Sequence, residues 1–408
     1  MYILVINSGS SSIKFGLYDA ANQYSTASGD VSRIGEKGSY LKYSGGGEVY
    51  RKDVDALSHA KALECIMEAL LDGKNGALKS LEEIDAVGHR VVHGGSTIRQ
   101  SVVVDEEVIN KIRECIPFAP LHNPPNLEAI LECRRLLPGI PQVAVLDTSF
   151  HQTMPPQAYM YAIPYDLYEK YGARRYGFHG SSYRYVSLRA AEMMGRRPQD
   201  LRMVVCHLGN GSSMAAIRRG RSVDTTMGMT PVEGLMMGTR SGDIDAGLVL
   251  RLIAGKPGLS VKEVDRILNN ESGILGISGL SKDMRDVQAR AVAGDLRCML
   301  ALDMYAYRIR KYVGAYAAAM GGIDLLVFTG GIGENSAEVR GSVCDELGFL
   351  GIEIDSMINS ATQGVERDIS TPEARVRVLV VPTNEEKIIV QDTLMLTRTL
   401  RVMAEAVA

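Results

Sequence analysis

One short pattern occurs twice, half a chain apart, and it narrows the folds open to this sequence more than any other feature. Ile3-Leu4-Val5-Ile6-Asn7-Ser8-Gly9-Ser10-Ser11-Ser12 reads as an apolar strand followed by a Gly/Ser turn and a second strand, Ile13–Tyr18. Val204-Val205-Cys206-His207-Leu208-Gly209-Asn210-Gly211-Ser212-Ser213 does the same and continues into Met214–Ile217. A duplicated strand–turn–strand opening points to two similarly built α/β halves. The length of 408 residues agrees, because one hydrophobic core rarely organises so long a chain. Short β-branched runs alternate with helical patterns throughout. Strands are predicted at Tyr2–Ile6, Ala86–Val92, Gln142–Asp147, Met203–Leu208, Leu325–Thr329 and Val376–Val381. Helices are predicted at His59–Leu71, Pro125–Leu136, Tyr183–Met194, Ala246–Ala254, Val261–Asn269, Asp295–Met320 and Glu385–Ala404. The Asp295–Met320 segment stops at Gly321-Gly322, a helix C-terminal signal.

Charge and composition exclude several function classes. Forty-five basic against 48 acidic side chains give a formal net charge of −3, so bulk attraction to nucleic acid or anionic lipid is not expected. No apolar run approaches the ~20 residues that cross a bilayer. The first residues carry no basic leader and turn polar at Asn7. The six cysteines are scattered without a CxxC pair. A reducing cytoplasm is the expected setting, with no membrane or nucleic-acid partner.

The chemistry-bearing residues gather at glycine-rich strand ends. Both repeated turns suit phosphate, since small residues let backbone N–H groups approach an anion and Lys14 adds a charge beyond the first turn. A plain hairpin turn has the same composition. The Walker and protein-kinase signatures are absent, so a nucleotide would be held by another architecture. A third cluster, Thr329-Gly330-Gly331-Ile332-Gly333-Glu334-Asn335, follows a predicted strand and would let backbone pass close to a flat ring. His89-Arg90-Val91-Val92-His93 has zincin spacing without the glutamate and sits in a β-branched run, which favours a strand over a metal-binding helix. Six histidines lie near strand ends, where a hydrogen-bonded structural role is the default; His179, between Phe178 and Gly180, stands apart. Arg90 and Arg240 are flanked by glycines, and their planar guanidinium groups suit carboxylate or phosphate oxygens. Asp147 and Glu385 end or begin elements and could orient a divalent cation, or simply cap helices.

Taken together, Asn7–Phe15, Gly88–Gly95, Ala119–Asn126, Asp147–His151 and Tyr176–Gly180 resemble signatures of the acetate kinase family. His207–Ser213, Met237–Arg240, Gly330–Asn335 and Pro382–Glu386 extend the resemblance over essentially the whole chain. It implies a two-domain α/β fold of the sugar kinase/Hsp70/actin (ribonuclease H-like) type with a duplicated core. The first domain would be residues 1–149 plus 386–408, with the last helix packing back, and the second, nucleotide-binding and dimerising domain residues 150–385. Thr148–Met154 and Pro382–Lys387 would be the hinges. The implied activity is reversible transfer of the ATP γ-phosphoryl group to acetate, giving acetyl phosphate and ADP, with Mg²⁺ or Mn²⁺, by a homodimer. Asp147, His179 and Arg240 would be catalytic. Arg90 would bind the substrate carboxylate, and Val92, Leu121, Phe178 and Pro231 its methyl group. Lys14, His207, Leu208, Gly209, Asn210, Gly211, Asp283, Met284, Arg285, Gly331, Ile332, Gly333, Glu334 and Asn335 would serve the nucleotide. Asn7 and Glu385 would hold the metal.

This chemistry suits the residue set. A carboxylate is already ionised at pH 7, so it needs charge management more than a general base. Two other readings remain at this point: a propionate kinase using the same pocket, and an ATP-binding chaperone or filament protein on the same scaffold. A sugar kinase would want a base for its neutral hydroxyl.

Overall fold

Strand β1 (Tyr2–Ser8) sits centrally because nearly every residue from Ile3 to Ile6 is fully buried, leaving both faces of the strand to be covered. In the computed structural model, which describes residues 1–22, 24–255 and 258–407, the chain divides into two compact units. The first is Met1–Phe150 with Asn384–Ala408, and the second is His151–Thr383.

In the first unit β1 turns into β2 (Ser12–Asp19), and the meander continues through β3 (Tyr24–Ser32), β4 (Tyr40–Gly45) and β5 (Glu48–Asp53), all antiparallel. On the other side of β1 lie β6 (Ile84–Val91), the short edge strand β7 (Val102–Val103) and β8 (Gln142–Leu146), with β6 parallel to β1 and β8 parallel to β6. The sheet order is β5-β4-β3-β2-β1-β6-β8-β7. Leu4, Ile6, Ile13, Phe15 and Leu17 alternate toward one face and pack on Leu63, Ile66 and Leu70 of the helix His59–Leu70. That helix starts where the Ser58 side chain accepts the Lys61 N–H. The final helix, Glu385–Val407, covers β1, β6 and β8 on the opposite face. Its approach requires Gly88, where a Cβ would stand 2.5 Å from both Ile389 Cγ2 and Thr393 Oγ1.

The second unit repeats the plan. Strands β9 (Arg202–Leu208), β10 (Ser212–Arg218) and β11 (Arg221–Thr225) run antiparallel, and β12 (Leu325–Thr329) is parallel to β9. Edge strand β13 (Arg367–Asp368) is antiparallel to β14 (Arg377–Val380), which is parallel to β12, giving the order β11-β10-β9-β12-β14-β13. Thus β3-β2-β1-β6-β8 and β11-β10-β9-β12-β14 are one arrangement used twice, which is what the repeated sequence pattern encodes. The longest helix, Leu296–Met320, lays Cys298, Ala301, Tyr305, Ile309, Val313 and Tyr316 on the core at helical spacing. Asp295 is its N-cap and Gly321, at φ 69°, its left-handed C-cap.

Element ends shift from expectation for local reasons. The helix expected at Tyr183–Met194 starts at Gly180, because His179 at its N-cap already leaves the strand-like path. The Val261–Asn269 helix is α only to Arg266 and then widens into a π-turn, Ile267–Glu271. The glycine cluster after β12 is itself the start of a helix, Gly330–Asn335, with Gly330 at φ 76°.

Gly88→Ala is expected to destabilise the fold by about 1–3 kcal/mol through overpacking against Ile389 and Thr393. Gly314→Ala, whose new methyl meets nothing within 4 Å inside a long helix, should stabilise it by about 0.5–1 kcal/mol. Denaturant unfolding of both variants reads the difference, and equal midpoints would contradict the close seating of the last helix.

Candidate active site

In the first unit, sheet register gathers the charged residues. Asn7 pairs with Lys14 across the β1–β2 ladder, and Ile6 lies beside His89, so Asn7, Lys14 and Arg90 share the face opposite the apolar alternation. Arg90 pairs with Val145, which puts Asp147, two residues on, toward that face as well. Arg90 Nε donates to Asp147 Oδ1 at 3.0 Å and Nη2 to Oδ2 at 2.7 Å, a bidentate pair. Glu385, at the start of the covering helix, brings Oε2 to 3.6 Å from Arg90 Nη1. Asp147 is almost wholly buried. Burial works against the Arg90 charge, but Asp147 and Glu385 outweigh it and hold the guanidinium firmly protonated. Burial pushes the Glu385 carboxyl above its usual range; Arg90 and Lys14 pull it down, and Asp147 adds to the rise.

The strand exit carrying Val92 is fastened by two asparagines that sequence reasoning quoted without a role. The Val92 N–H donates to Asn126 Oδ1 at 3.0 Å and the His93 N–H to Asn123 Oδ1 at 3.1 Å. Asn126 Nδ2 donates in turn to the Ser8 carbonyl at 2.7 Å, so the β1 end and the β6 end are tied through one amide. Val92 is buried while Leu121 is half exposed. His89 is fully buried with Nε2 2.7 Å from the Gln142 amide, and burial lowers its pKa to about 4. The His89–His93 pattern is therefore a strand to Val91 and its exit, not a helix, and among the described residues no cluster of three or more His, Cys, Asp or Glu could hold a metal by itself.

In the second unit the Gly209–Gly211 turn joins β9 to β10 and meets two of the singled-out side chains. A Cβ on Gly211 would lie 3.6 Å from Arg240 Nη1 and 3.8 Å from the His179 ring. His179 adopts φ 58°, ψ 25°, left-handed backbone that a non-glycine residue occupies only at some cost. This turns its ring onto His207, with centroids 4.1 Å apart and planes at 22°. His179 Nδ1 lies 2.8 Å from Ser213 Oγ. Arg240 Nη1 reaches the Pro231 carbonyl at 3.4 Å and Met237 Sδ at 3.8 Å. Among the described residues it has no carboxylate at ion-pair distance, and burial alone pulls its pKa below the usual guanidinium range. Phe178 is buried and Pro231 half-buried.

A hollow of about 760 Å³ in the same unit is lined by Gly209, Asn210, Asp283, Met284, Arg285, Gly331, Ile332 and Asn335. Its size suits a nucleotide. Lys282, Gln288, Ser336, Glu338 and Gln363 line it too and were not expected. Gln288 lies one helical turn after Met284 and Arg285, a signal that was present; Gln363 offers no local signal. His207, Leu208, Gly211, Gly333 and Glu334 do not line this hollow. Leu208 is a core residue, and Gly333 packs toward Cys206 and Phe328. The Glu334 carboxylate turns inward, accepting the Gly330 N–H at 2.8 Å and the Thr383 N–H at 3.0 Å. Fully buried Arg340 donates to the Gly333 and Glu334 carbonyls, and to Asn359 and Thr362, bolting the end of the glycine-rich helix in place.

Comparison with known proteins gives one answer. A family model described as the acetokinase family matches residues 2–391. An acetate kinase of Bacteroides thetaiotaomicron is 52% identical over 397 residues, 97% of this chain and 99% of the relative. An acetate kinase of Thermotoga maritima is 54% identical over 395 residues, 96% and 98% of the two chains. The crystal structure of Porphyromonas gingivalis acetate kinase superposes with TM-score 0.91 at 50% identity, covering 97% of this chain and 99% of that one. A Francisella tularensis propionate kinase does so with TM-score 0.90 at 41% identity, covering 96% and 99%. On this footing the chain belongs to the acetokinase family, as a phosphotransferase with a carboxyl group as acceptor that works with ATP, ADP and a divalent cation.

Proposed function

We propose that this chain reversibly transfers the γ-phosphoryl group of ATP to acetate, forming acetyl phosphate and ADP, by direct in-line attack of the carboxylate. The observation that carries the reading is Arg240: a partly buried guanidinium with no carboxylate partner among the described residues, next to the turn of a nucleotide-sized hollow. A buried cation without a counter-charge is costly unless an anion completes it. The transferring phosphoryl group spreads charge over its equatorial oxygens, which is the charge Arg240 would meet.

Arg90 takes the other anion. With Nε and Nη2 committed to Asp147, its orientation is set, and Nη1, 3.6 Å from Glu385 Oε2, would be shared with the substrate carboxylate. Asp147 then orients Arg90 and abstracts no proton. His179, positioned through Ser213, would donate to the γ-phosphate. Val92, Leu121, Phe178 and Pro231 would enclose the methyl group, and the nucleotide would take the hollow around Asn210, Met284 and Ile332. The oxygen donors of Asn7 and Glu385 fit Mg²⁺, with Mn²⁺ as a substitute. A magnesium ion commonly takes one or two protein oxygens and completes its shell with phosphates and water. Bound there, the cation would neutralise phosphate charge and oppose the upward push of burial on the Glu385 carboxyl. Support for a homodimer comes from the helix Leu296–Met320, whose Leu296, Met299, Leu300, Met304 and Tyr307 form an exposed apolar stripe. Among the described residues no helix is long and apolar enough to cross a membrane, which agrees with a cytoplasmic enzyme.

Hydroxylamine trapping of acyl phosphate, with ATP, Mg²⁺ and acetate, propionate or butyrate, tests the function. The expected order of kcat/KM is acetate, then propionate, each added methylene costing ~1–3 kcal/mol, and a butyrate optimum would refute the pocket. In the same assay Arg240→Ala should lower kcat by about 10²–10³ with a smaller change in acetate KM. A pure KM effect would reassign it to ground-state binding. For Asp147→Asn, activity is expected to fall at least about tenfold and stay low at saturating Mg²⁺, because the loss lies in Arg90. Recovery with added Mg²⁺ would give Asp147 to the metal instead. Replacing Met299 and Met304 together with glutamate should convert a dimer to monomers in sedimentation velocity; a wild-type monomer would remove the dimer proposal.

A further inference from the structure

The histidine that stacks on His179 is held by a directed chain of hydrogen bonds that the reaction scheme has not used. Thr383, the last residue of the second unit, has its backbone fixed by Glu334, whose Oε1 accepts the Thr383 N–H at 3.0 Å and the Gly330 N–H at 2.8 Å. The Thr383 hydroxyl donates to Ser182 Oγ at 2.8 Å. Ser182 is fully buried in the first turn of the helix Gly180–Met193, and its Oγ lies 2.8 Å from His207 Nδ1. Because Ser182 receives a proton from Thr383, its own proton is available to His207. A neutral imidazole whose Nδ1 accepts carries its hydrogen on Nε2. A nucleotide phosphate is an acceptor only, so the tautomer decides whether His207 attracts it or opposes it with a lone pair.

We propose that Ser182 and Thr383 are positioning residues that lock His207 in the Nε2–H tautomer, as a donor to an anionic oxygen of the nucleotide. The second half of this statement rests on the reading of His207 as a nucleotide residue. The chain runs Glu334, Thr383, Ser182, His207, so the carboxylate that closes the glycine-rich turn also sets the start of the relay. Two separate parts of the nucleotide region, the Gly330–Asn335 helix and the β9 end, are thereby referred to one threonine.

Long-range ¹H–¹⁵N spectra of the full-length ¹⁵N-labelled protein at pH 8 read the tautomer directly, with His207 assigned from the spectrum of His207→Gln. The wild type should show an unprotonated Nδ1 and a protonated Nε2. Ser182→Ala should yield a tautomer mixture and raise the KM for ATP about tenfold, the scale of one hydrogen bond to a charged group, with acetate KM unchanged. Ser182→Thr, which keeps the hydroxyl, should restore both. Thr383→Val should act in the same direction as Ser182→Ala, and Thr383→Ser should revert it, which serves if the alanine variant fails to fold. An Nδ1–H tautomer in the wild type, or an unaltered tautomer in both Ser182→Ala and Thr383→Val, would overturn the proposal. A changed tautomer with unchanged ATP KM would instead overturn the nucleotide reading of His207.

Discussion

Two carboxylates in the first unit share one guanidinium, and the organisation of that unit follows from having to bury the three charges. Arg90 is clamped by Asp147 and approached by Glu385, and Asp147 lies almost wholly out of solvent. Such a cluster is stable only with good geometry, since the desolvation of each ion rivals the attraction between them. The geometry is supplied by parts far apart in sequence. Parallel pairing of β6 with β8 sets Arg90 against Asp147, and the return of the last helix delivers Glu385. Gly88 makes this possible: without room for Ile389 and Thr393 above it, the helix could not lie where its first residue meets Arg90.

Arg240 presents the opposite solution. Its surroundings offer a carbonyl and a thioether, and its loop is held by other groups. Arg175 Nη2 donates to Glu233 Oε1 at 2.5 Å, and Asp243 accepts from the Gly234 N–H at 2.9 Å and the Tyr312 hydroxyl at 2.7 Å. Glu233 and Asp243, the carboxylates of the same loop, are thus engaged by other cations and donors. One arginine is preorganised by its counter-ion and the other by the absence of one. In the proposed reaction, which brings an anion to an anion, the first arrangement would fix a ground state and the second would keep its field for charge that develops later.

How much of this could be read from the sequence depends on how local the cause was. The duplicated hairpin was legible because a buried strand, a small-residue turn and a second strand occupy about a dozen consecutive residues. The glycines were legible for the same reason. The residues that went unread act over long separations. Asn126 reaches back 118 residues to the Ser8 carbonyl, and Glu334 closes on Thr383, 49 residues ahead. Arg340 satisfies its guanidinium on carbonyls up to 22 residues away. Side-chain bonds to backbone leave no periodic trace, because the partner can be any residue type. The Glu334 carboxylate is a case in point, since it accepts from backbone N–H groups of its own turn and of the segment after β14.

That segment concentrates several demands in three residues. Thr383 closes the second unit with one hydrogen bond from its amide and another from its hydroxyl, while Glu385, two residues later, opens the helix of the first. A chain passing from one unit to the other could be a slack linker, free to adopt many conformations. Here its two ends are held by polar groups, Glu334 and buried Ser182 at one, Arg90 at the other. Only Asn384 lies between, and its Oδ1 accepts the Lys387 N–H at 3.0 Å, tying it to the first turn of the helix that follows. Thr383 and Glu385 are thus each fixed within their own unit, with Asn384 the one residue between them in sequence.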